Sequence, residues 1–206
     1  MSFLRELILK ENQLEEIEHD AFAETPNITL LDIDGSRLSV LPNLMYMSNL
    51  RTLHLNRGRL TELPANMCQG HRRLSILEVE NNLLSEIPSF SMCRPGLVIG
   101  NFAYNRIQTL QKDTFANQGI LRDLRLGNNM LTVLPDGLLD DTVELEYFDV
   151  SDNRLTSLSP QLFENLVSLV RFDASHNAIQ KLERGCLLYT SPSPRDATLS
   201  RMPSSA

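Results

Sequence analysis

Apolar residues return along this chain in a fixed frame, L-x-x-L-x-L-x-x-N-x-L-x-x-L, eight times over. The ninth position of the frame falls at Asn12, Ser36, Gly58, Asn82, Asn105, Asn129, Asn153 and Asn177, at intervals of 24, 22, 24, 23, 24, 24 and 24 residues. The L-x-L alternation inside each frame has the period of a strand, so every repeat should hold a short strand with its leucines turned inward and the residues between them turned outward. A repeat of this length cannot bury an apolar face alone and has to stack on its neighbours. Stacking predicts parallel strands about 4.8 Å apart and an eight-stranded sheet roughly 35 Å long. The return segments are bulkier than the strands and carry Phe22, Phe115 and Phe163 as packing anchors. The stack should therefore bend into an arc with the sheet on its inner side.

The frame is the leucine-rich-repeat signature. The expected fold is an α/β leucine-rich-repeat solenoid, an arc with a parallel β-sheet on the concave face and a mostly irregular or short-helical convex side. Ile28, Leu31, Ile33, Leu38 and Leu41 are the inward positions of the second coil, and Leu121, Leu124, Leu126, Leu131 and Leu134 those of the sixth. Asn at the ninth position should bond backbone groups where the chain leaves the strand, each coil repeating the bonds of the last as a ladder. Ser36 and Gly58 interrupt that ladder and flank the short 22-residue interval, which predicts a weaker joint there. Gly100 stands where leucine is expected, beside Phe102, and predicts local slack next to the Arg94-Pro95-Gly96 turn.

Outward positions between the motif leucines form the candidate binding face. One row runs Ile8, Asp32, His54, Glu78, Asn101, Arg125, Asp149 and Asp173, and two residues further on lie Lys10, Asp34, Asn56, Glu80, Ala103, Gly127, Ser151 and Ser175. The candidates for contact with a protein partner are Asp32, Asp34, His54, Glu78, Glu80, Asn101, Arg125, Asp149 and Asp173. This face is predominantly acidic, with Arg125 the clear exception, and an extended concave surface is how solenoids hold protein partners. The plainer reading of each residue is a solvated strand side chain, since most exposed charges merely face water. On the binding reading, reversing Asp32, Glu78 and Asp149 to Lys should weaken partner binding and leave stability nearly unchanged.

The formal net charge of −7 argues against nucleic acid or anionic lipid as the main partner, because both demand a basic surface. No apolar run approaches the roughly 18 residues of a membrane span, and no secretory leader pattern opens the chain. Met1 lies only three residues before Leu4, the first apolar position of the first coil, so we expect Met1 to be an internal methionine of a longer protein. Residues 1–185 are expected to form a repeat array of about eight coils, truncated at both ends. Residues 186–206 break the frame, and CLLYTSPSPRD followed by SRMPSSA resembles a translated sequencing adapter, so this stretch is expected to be a non-native, disordered tail. His19, His54, His71 and His176 sit in four different coils without metal-ligand spacing, and no phosphate loop or nucleophile motif occurs. Asp140-Asp141 reads as a polar turn. The expectation is therefore no catalytic residue, no metal and no cofactor. Asn27-Ile28-Thr29 is an N-x-T sequon, and Asn27 is a candidate glycosylation site.

Cys68 and Cys93 lie one coil plus one residue apart on the return segments of adjacent coils, where a disulfide is sterically possible. The alternative is two independent buried thiols in a cytosolic protein. The run L-S-V-L-P-N-L (38–44), then L-T-E-L-P-A-N-M-C (60–68), then N-N-L-L-S-E-I-P-S-F-S-M-C (81–93) resembles the later ectodomain repeats of leucine-rich-repeat G-protein-coupled receptors. The similarity is to the type B group, which includes the vertebrate R-spondin receptors and the arthropod bursicon receptor. It rests on a shortened coil with Leu41-Pro42, ladder lapses at Ser36 and Gly58, the Pro88-Ser89-Phe90-Ser91 run and a cysteine pair matching Cys68 and Cys93. It covers roughly residues 28–110. The resemblance implies a fragment of an extracellular ectodomain that binds a secreted protein hormone or growth factor, on a parent anchored in the plasma membrane outside this segment. It also implies that, in the R-spondin receptors, the main ligand contacts lie in earlier coils. Two rivals stand beside it: an adhesion or Toll- or Slit-like extracellular repeat protein, and the recruitment domain of an intracellular repeat-bearing enzyme.

Overall fold

In the computed structural model, residues 3–65, 67, 73–94 and 96–182 are described. Eight three-residue strands follow one another along the chain: β1 (Glu6–Ile8), β2 (Leu30–Asp32), β3 (Thr52–His54), β4 (Ile76–Glu78), β5 (Ile99–Asn101), β6 (Asp123–Arg125), β7 (Tyr147–Asp149) and β8 (Arg171–Asp173). They form one parallel sheet in chain order, β1 to β8. Each strand is short because only its middle residue belongs to the core. Leu31, Leu53, Leu77, Leu124 and Phe148 are fully buried there, while the flanking residues face the other way. The register pairs the same frame position in every coil, from Leu7 with Leu31 to Phe148 with Phe172. Past each strand the ladder continues, as in Ile33 N–H to His54 O at 3.0 Å and Val79 N–H to Asn101 O at 2.8 Å. The leucine-rich-repeat solenoid expected from the frame is the observed fold.

The convex side is mostly irregular. Among the described residues its one helical element is a single 3₁₀ turn, Pro160–Phe163. Phe22, Phe115 and Phe163 are all buried in the return segments. In the short coil, which has no phenylalanine there, buried Leu44 and Met47 fill the space, and the pairing of β2 with β3 keeps its register.

From coil four onward each frame asparagine binds the coil before it. Asn129 Nδ2 donates to Phe102 O at 3.0 Å while its Oδ1 accepts Ile107 N–H at 3.0 Å, and the same two bonds recur at Asn82, Asn105, Asn153 and Asn177. Asn82 reaches over Gly58, where an added Cβ would stand 2.6 Å from Asn82 Oδ1. Asn12 bonds only carbonyls of its own coil, at Leu9 and Lys10. The ladder is thus continuous from Asn82 to Asn177 and lacks an asparagine rung at Ser36 and Gly58.

Slack around Gly100 is not what the structure shows. The Phe102 ring fills the place of the absent leucine, with its Cε2 3.0 Å from where a Gly100 Cβ would lie. Phe90, Phe102 and Phe115 pack ring on ring, with centroids 5.7 to 6.3 Å apart. A small and a large residue have exchanged places along the strand, so the volume is conserved and β5 pairs in register on both sides. The expected tail, residues 186–206, and the expected cysteine partner, Cys68, lie outside the described residues.

Candidate functional site

The sheet register places the expected face in one straight row. Ile8, Asp32, His54, Glu78, Asn101, Arg125, Asp149 and Asp173 are successive cross-strand partners. Neighbouring members are one strand spacing apart, so their side chains interact.

In the N-terminal half these side chains are tied into a lateral hydrogen-bond network. Asp34 Oδ1 accepts Asn56 N–H at 2.7 Å and Oδ2 accepts Asn56 Nδ2 at 3.2 Å. Asn56 Nδ2 also donates to Glu78 Oε2 at 3.1 Å, and its Oδ1 accepts Glu80 N–H at 2.8 Å. Glu80 Oε2 accepts Asn101 Nδ2 at 2.9 Å, and His54 Nε2 stands 3.8 Å from Glu78 Oε2. Asp32 and Asn101 depart from the expectation of solvated residues. They are 7% and 4% exposed, and each accepts the backbone N–H two residues on, from Asp34 and Ala103. Both therefore shape the turn after the strand, and a lysine at position 32 would bury a charge beside an unsatisfied N–H.

The C-terminal half is arranged around an aromatic ring. Tyr147 on β7 lies between two guanidinium groups, Arg125 at 5.5 Å and Arg171 at 5.3 Å from its centroid. Arg125 is held by Asp123 at 2.7 and 3.0 Å and Arg171 by Asp173 at 3.3 Å, so each cation keeps a carboxylate while facing the ring. Burial raises the Tyr147 phenol above its ordinary range, with the Asp149 carboxylate adding to the effect and the two arginines opposing it. Asp173 is held below the usual carboxylate range, chiefly by the Ser175 hydroxyl at 2.6 Å and the Ser175 N–H at 3.0 Å.

The frame hid a second outward row. The first residue of each strand also faces outward, giving Glu6, Leu30, Thr52, Ile76, Ile99, Asp123, Tyr147 and Arg171. Leu30, Ile76 and Ile99 are half-buried there, an apolar strip beside the acidic row. Counting both outward positions of the strand period, one on each side of the buried middle residue, would have found it.

Asn27 is exposed at the turn before β2, and the Thr29 hydroxyl of its sequon donates to Arg5 O at 3.1 Å. Cys93 is buried and disulfide-bonded. Asp141, half of the adjacent acidic pair, accepts Asn117 N–H at 2.8 Å across the return segments, a structural role. Among the described residues no group of three or more His, Cys, Asp or Glu side chains is placed to hold a metal ion.

Eight in-register coils, a parallel concave sheet and an asparagine ladder define a leucine-rich-repeat protein. The leucine rich repeat family matches residues 101–155, 121–179 and 143–189, and the BspA type leucine rich repeat region matches residues 2–95. The chain is similar to the leucine-rich repeat-containing G-protein coupled receptor 5 of Bos taurus, 30% identical over 113 residues, which is 54% of this chain and 12% of the receptor. Among solved structures it superposes on a leucine-rich-repeat protein of Leptospira interrogans with a TM-score of 0.78, at 25% identity over 96% of this chain and 46% of that one. It also superposes on the Toll–Spatzle complex of Drosophila with a TM-score of 0.80, at 26% identity over 90% of this chain and 25% of that one.

Proposed function

We propose that the chain is a ligand-binding segment of the extracellular part of a type B leucine-rich-repeat G-protein-coupled receptor, that its ligand is a secreted protein hormone or growth factor, and that it performs no catalysis of its own. The observation that carries this reading is the concave face, on which half-buried apolar residues (Leu30, Ile76 and Ile99, with Thr52 between the first two) lie beside hydrogen-bonded carboxylates (Asp34, Glu78, Glu80). Protein interfaces are built in this way, with apolar contact area bordered by satisfied polar groups. Similarity to the G-protein coupled receptor supports the parent class, and the Toll–Spatzle complex supports a protein as the partner. A disulfide at Cys93 supports an oxidising, extracellular compartment. Cys68 is the proposed partner of Cys93, and Asn27 is a candidate glycan site.

The decisive test is twofold. Extending the transcript should reveal seven downstream apolar spans of about 20 residues each; a kinase or phosphatase domain in their place would remove the receptor reading. Binding of a recombinant R-spondin and of a recombinant bursicon to the chain should then weaken about tenfold or more in a Glu78→Lys, Glu80→Lys, Asp149→Lys variant. Unchanged affinity would assign recognition to other coils.

A further inference from the structure

At the strand-start edge of coils one to four, Arg5, Asn27, Thr29, Asn49, Arg51 and Arg73 line a cleft of about 490 Å³. Arg5, Thr29 and Arg51 immediately precede β1, β2 and β3, while Asn27, Asn49 and Arg73 each stand just before the first apolar position of their coils. The parallel stacking therefore brings three guanidinium groups to one edge of an otherwise acidic molecule.

One feature separates these arginines from the others on the sheet. Arg122 occupies the same frame position further along and is neutralised by Glu144 at 2.9 Å and Glu146 at 3.5 Å, as Arg125 and Arg171 are by their own carboxylates. Among the described residues, no carboxylate lies within 4.0 Å of Arg5, Arg51 or Arg73. The backbone oxygens at the cleft floor are also occupied. Arg5 O accepts the N–H groups of Thr29 and Leu30, Thr29 O those of Arg51 and Thr52, and Arg51 O those of Ser75 and Ile76. An anion in the cleft would meet guanidinium donors and few bare carbonyls.

We propose that this cleft is an oxyanion-binding site that seats a sulfated, uronate-bearing polysaccharide, its sulfate and carboxylate groups on Arg5, Arg51 and Arg73 and its hydroxyls against Asn27, Asn49 and Thr29. Guanidinium groups bind planar or tetrahedral oxyanions through paired N–H bonds. The edge spans three strand spacings, about 14 Å, which suits an extended polyanion more than a single small ion. Among the described residues no hydrophobic side chain lines the cleft, so it lacks the apolar anchor that a protein segment would use. Because Asn27 is one of its walls, a glycan attached there would fill the site, and binding belongs to the chain without it.

The test uses the whole chain produced without N-glycosylation, titrated calorimetrically with a heparin-type hexasaccharide at several salt concentrations. Binding should weaken with rising salt, and the Arg5→Ala, Arg51→Ala, Arg73→Ala variant should bind about tenfold or more weakly, the effect of losing several charge-assisted contacts. An Arg106→Ala, Arg154→Ala variant, altered at exposed arginines elsewhere, should bind like the unaltered chain. Equal losses in the two variants would reduce the effect to general charge attraction and overturn the site. Absence of binding at low salt would overturn it as well. A glutamate-rich or sulfotyrosine peptide of equal charge that bound as tightly as the hexasaccharide would overturn the polysaccharide assignment in favour of an acidic protein segment.

Discussion

Each coil leaves its strand through one residue in the left-handed region, always the one before the ladder position. Glu11, Arg57, Asn81, Tyr104, Asn128, Asp152 and His176 have φ between 51° and 56°, and Gly35 has φ 70°. Only two of the seven non-glycine residues are asparagines, so this turn is imposed by its surroundings, by the neighbouring coil's hydrogen bonds on one side and the ladder on the other. Replacing Gly35 with alanine should cost about 1–2 kcal/mol in urea unfolding, because the backbone there is left-handed and the new Cβ would meet the Glu11 carboxylate. Asn129→Ala should cost about 1–3 kcal/mol, since it leaves the Ile107 N–H without a partner in a buried place and takes from the Phe102 carbonyl one of its two amide donors, the other being Asn105. Asn12→Ala, which breaks bonds only within an exposed turn, should change stability far less; equal effects at the two positions would refute the ladder's role. Asp173 supplies a pH-dependent contribution of known sign. Its folded carboxyl titrates below the unfolded value, so its stabilisation is present above the unfolded value and fades as pH falls through the folded one. Ser175→Ala should move the Asp173 titration, followed by carboxyl NMR, back toward the ordinary range.

Among the elements, β5 shows how a strand keeps its register while its consensus fails. Gly100 and Phe102 exchange bulk, and the ring packs with Phe90 and Phe115. Gly100→Leu alone should destabilise by about 1–3 kcal/mol through overpacking. Combining it with Phe102→Leu should recover a large part of that loss, and the coupling can be measured by a double-mutant cycle in urea. Strict additivity would mean that the two side chains do not share one space. The short coil makes the same point, with Leu44 and Met47 in place of a phenylalanine. Sequence pattern exposed both irregularities but not their repair, because periodicity reports where a residue is unusual and three-dimensional contacts decide what replaces it.

For the molecule as a whole, stability in a stacked array is a sum of coil and interface contributions, so a joint without rungs should open first. Hydrogen exchange should show lower protection of the amides joining β2 to β3, where Gly58 supplies no asparagine rung, than of those joining β6 to β7. Equal protection at the two joints would mean that apolar stacking alone sets local stability. The same asymmetry separates the two halves of the concave face. The N-terminal half presents half-buried Leu30, Ile76 and Ile99 beside hydrogen-bonded carboxylates, and the C-terminal half presents Tyr147 clasped by Arg125 and Arg171. On the proposed function, recognition by apolar contact would fall to the first half. Ion-paired rigidity belongs to the second.

The repeat frame by itself determined the solenoid, the strand positions, the inward leucines, the ladder asparagines and the row from Asp32 to Asp173, because each follows from which residues recur at a fixed spacing in an array whose neighbours are equivalent. Tertiary structure alone decided which carboxylates are free, which arginines are neutralised and which share a cleft. Those outcomes depend on side chains from coils 22 to 24 residues apart meeting across the sheet, as Asn56 meets Asp34 and Glu78. A distance of that kind is set by stacking and register, and no single coil carries it.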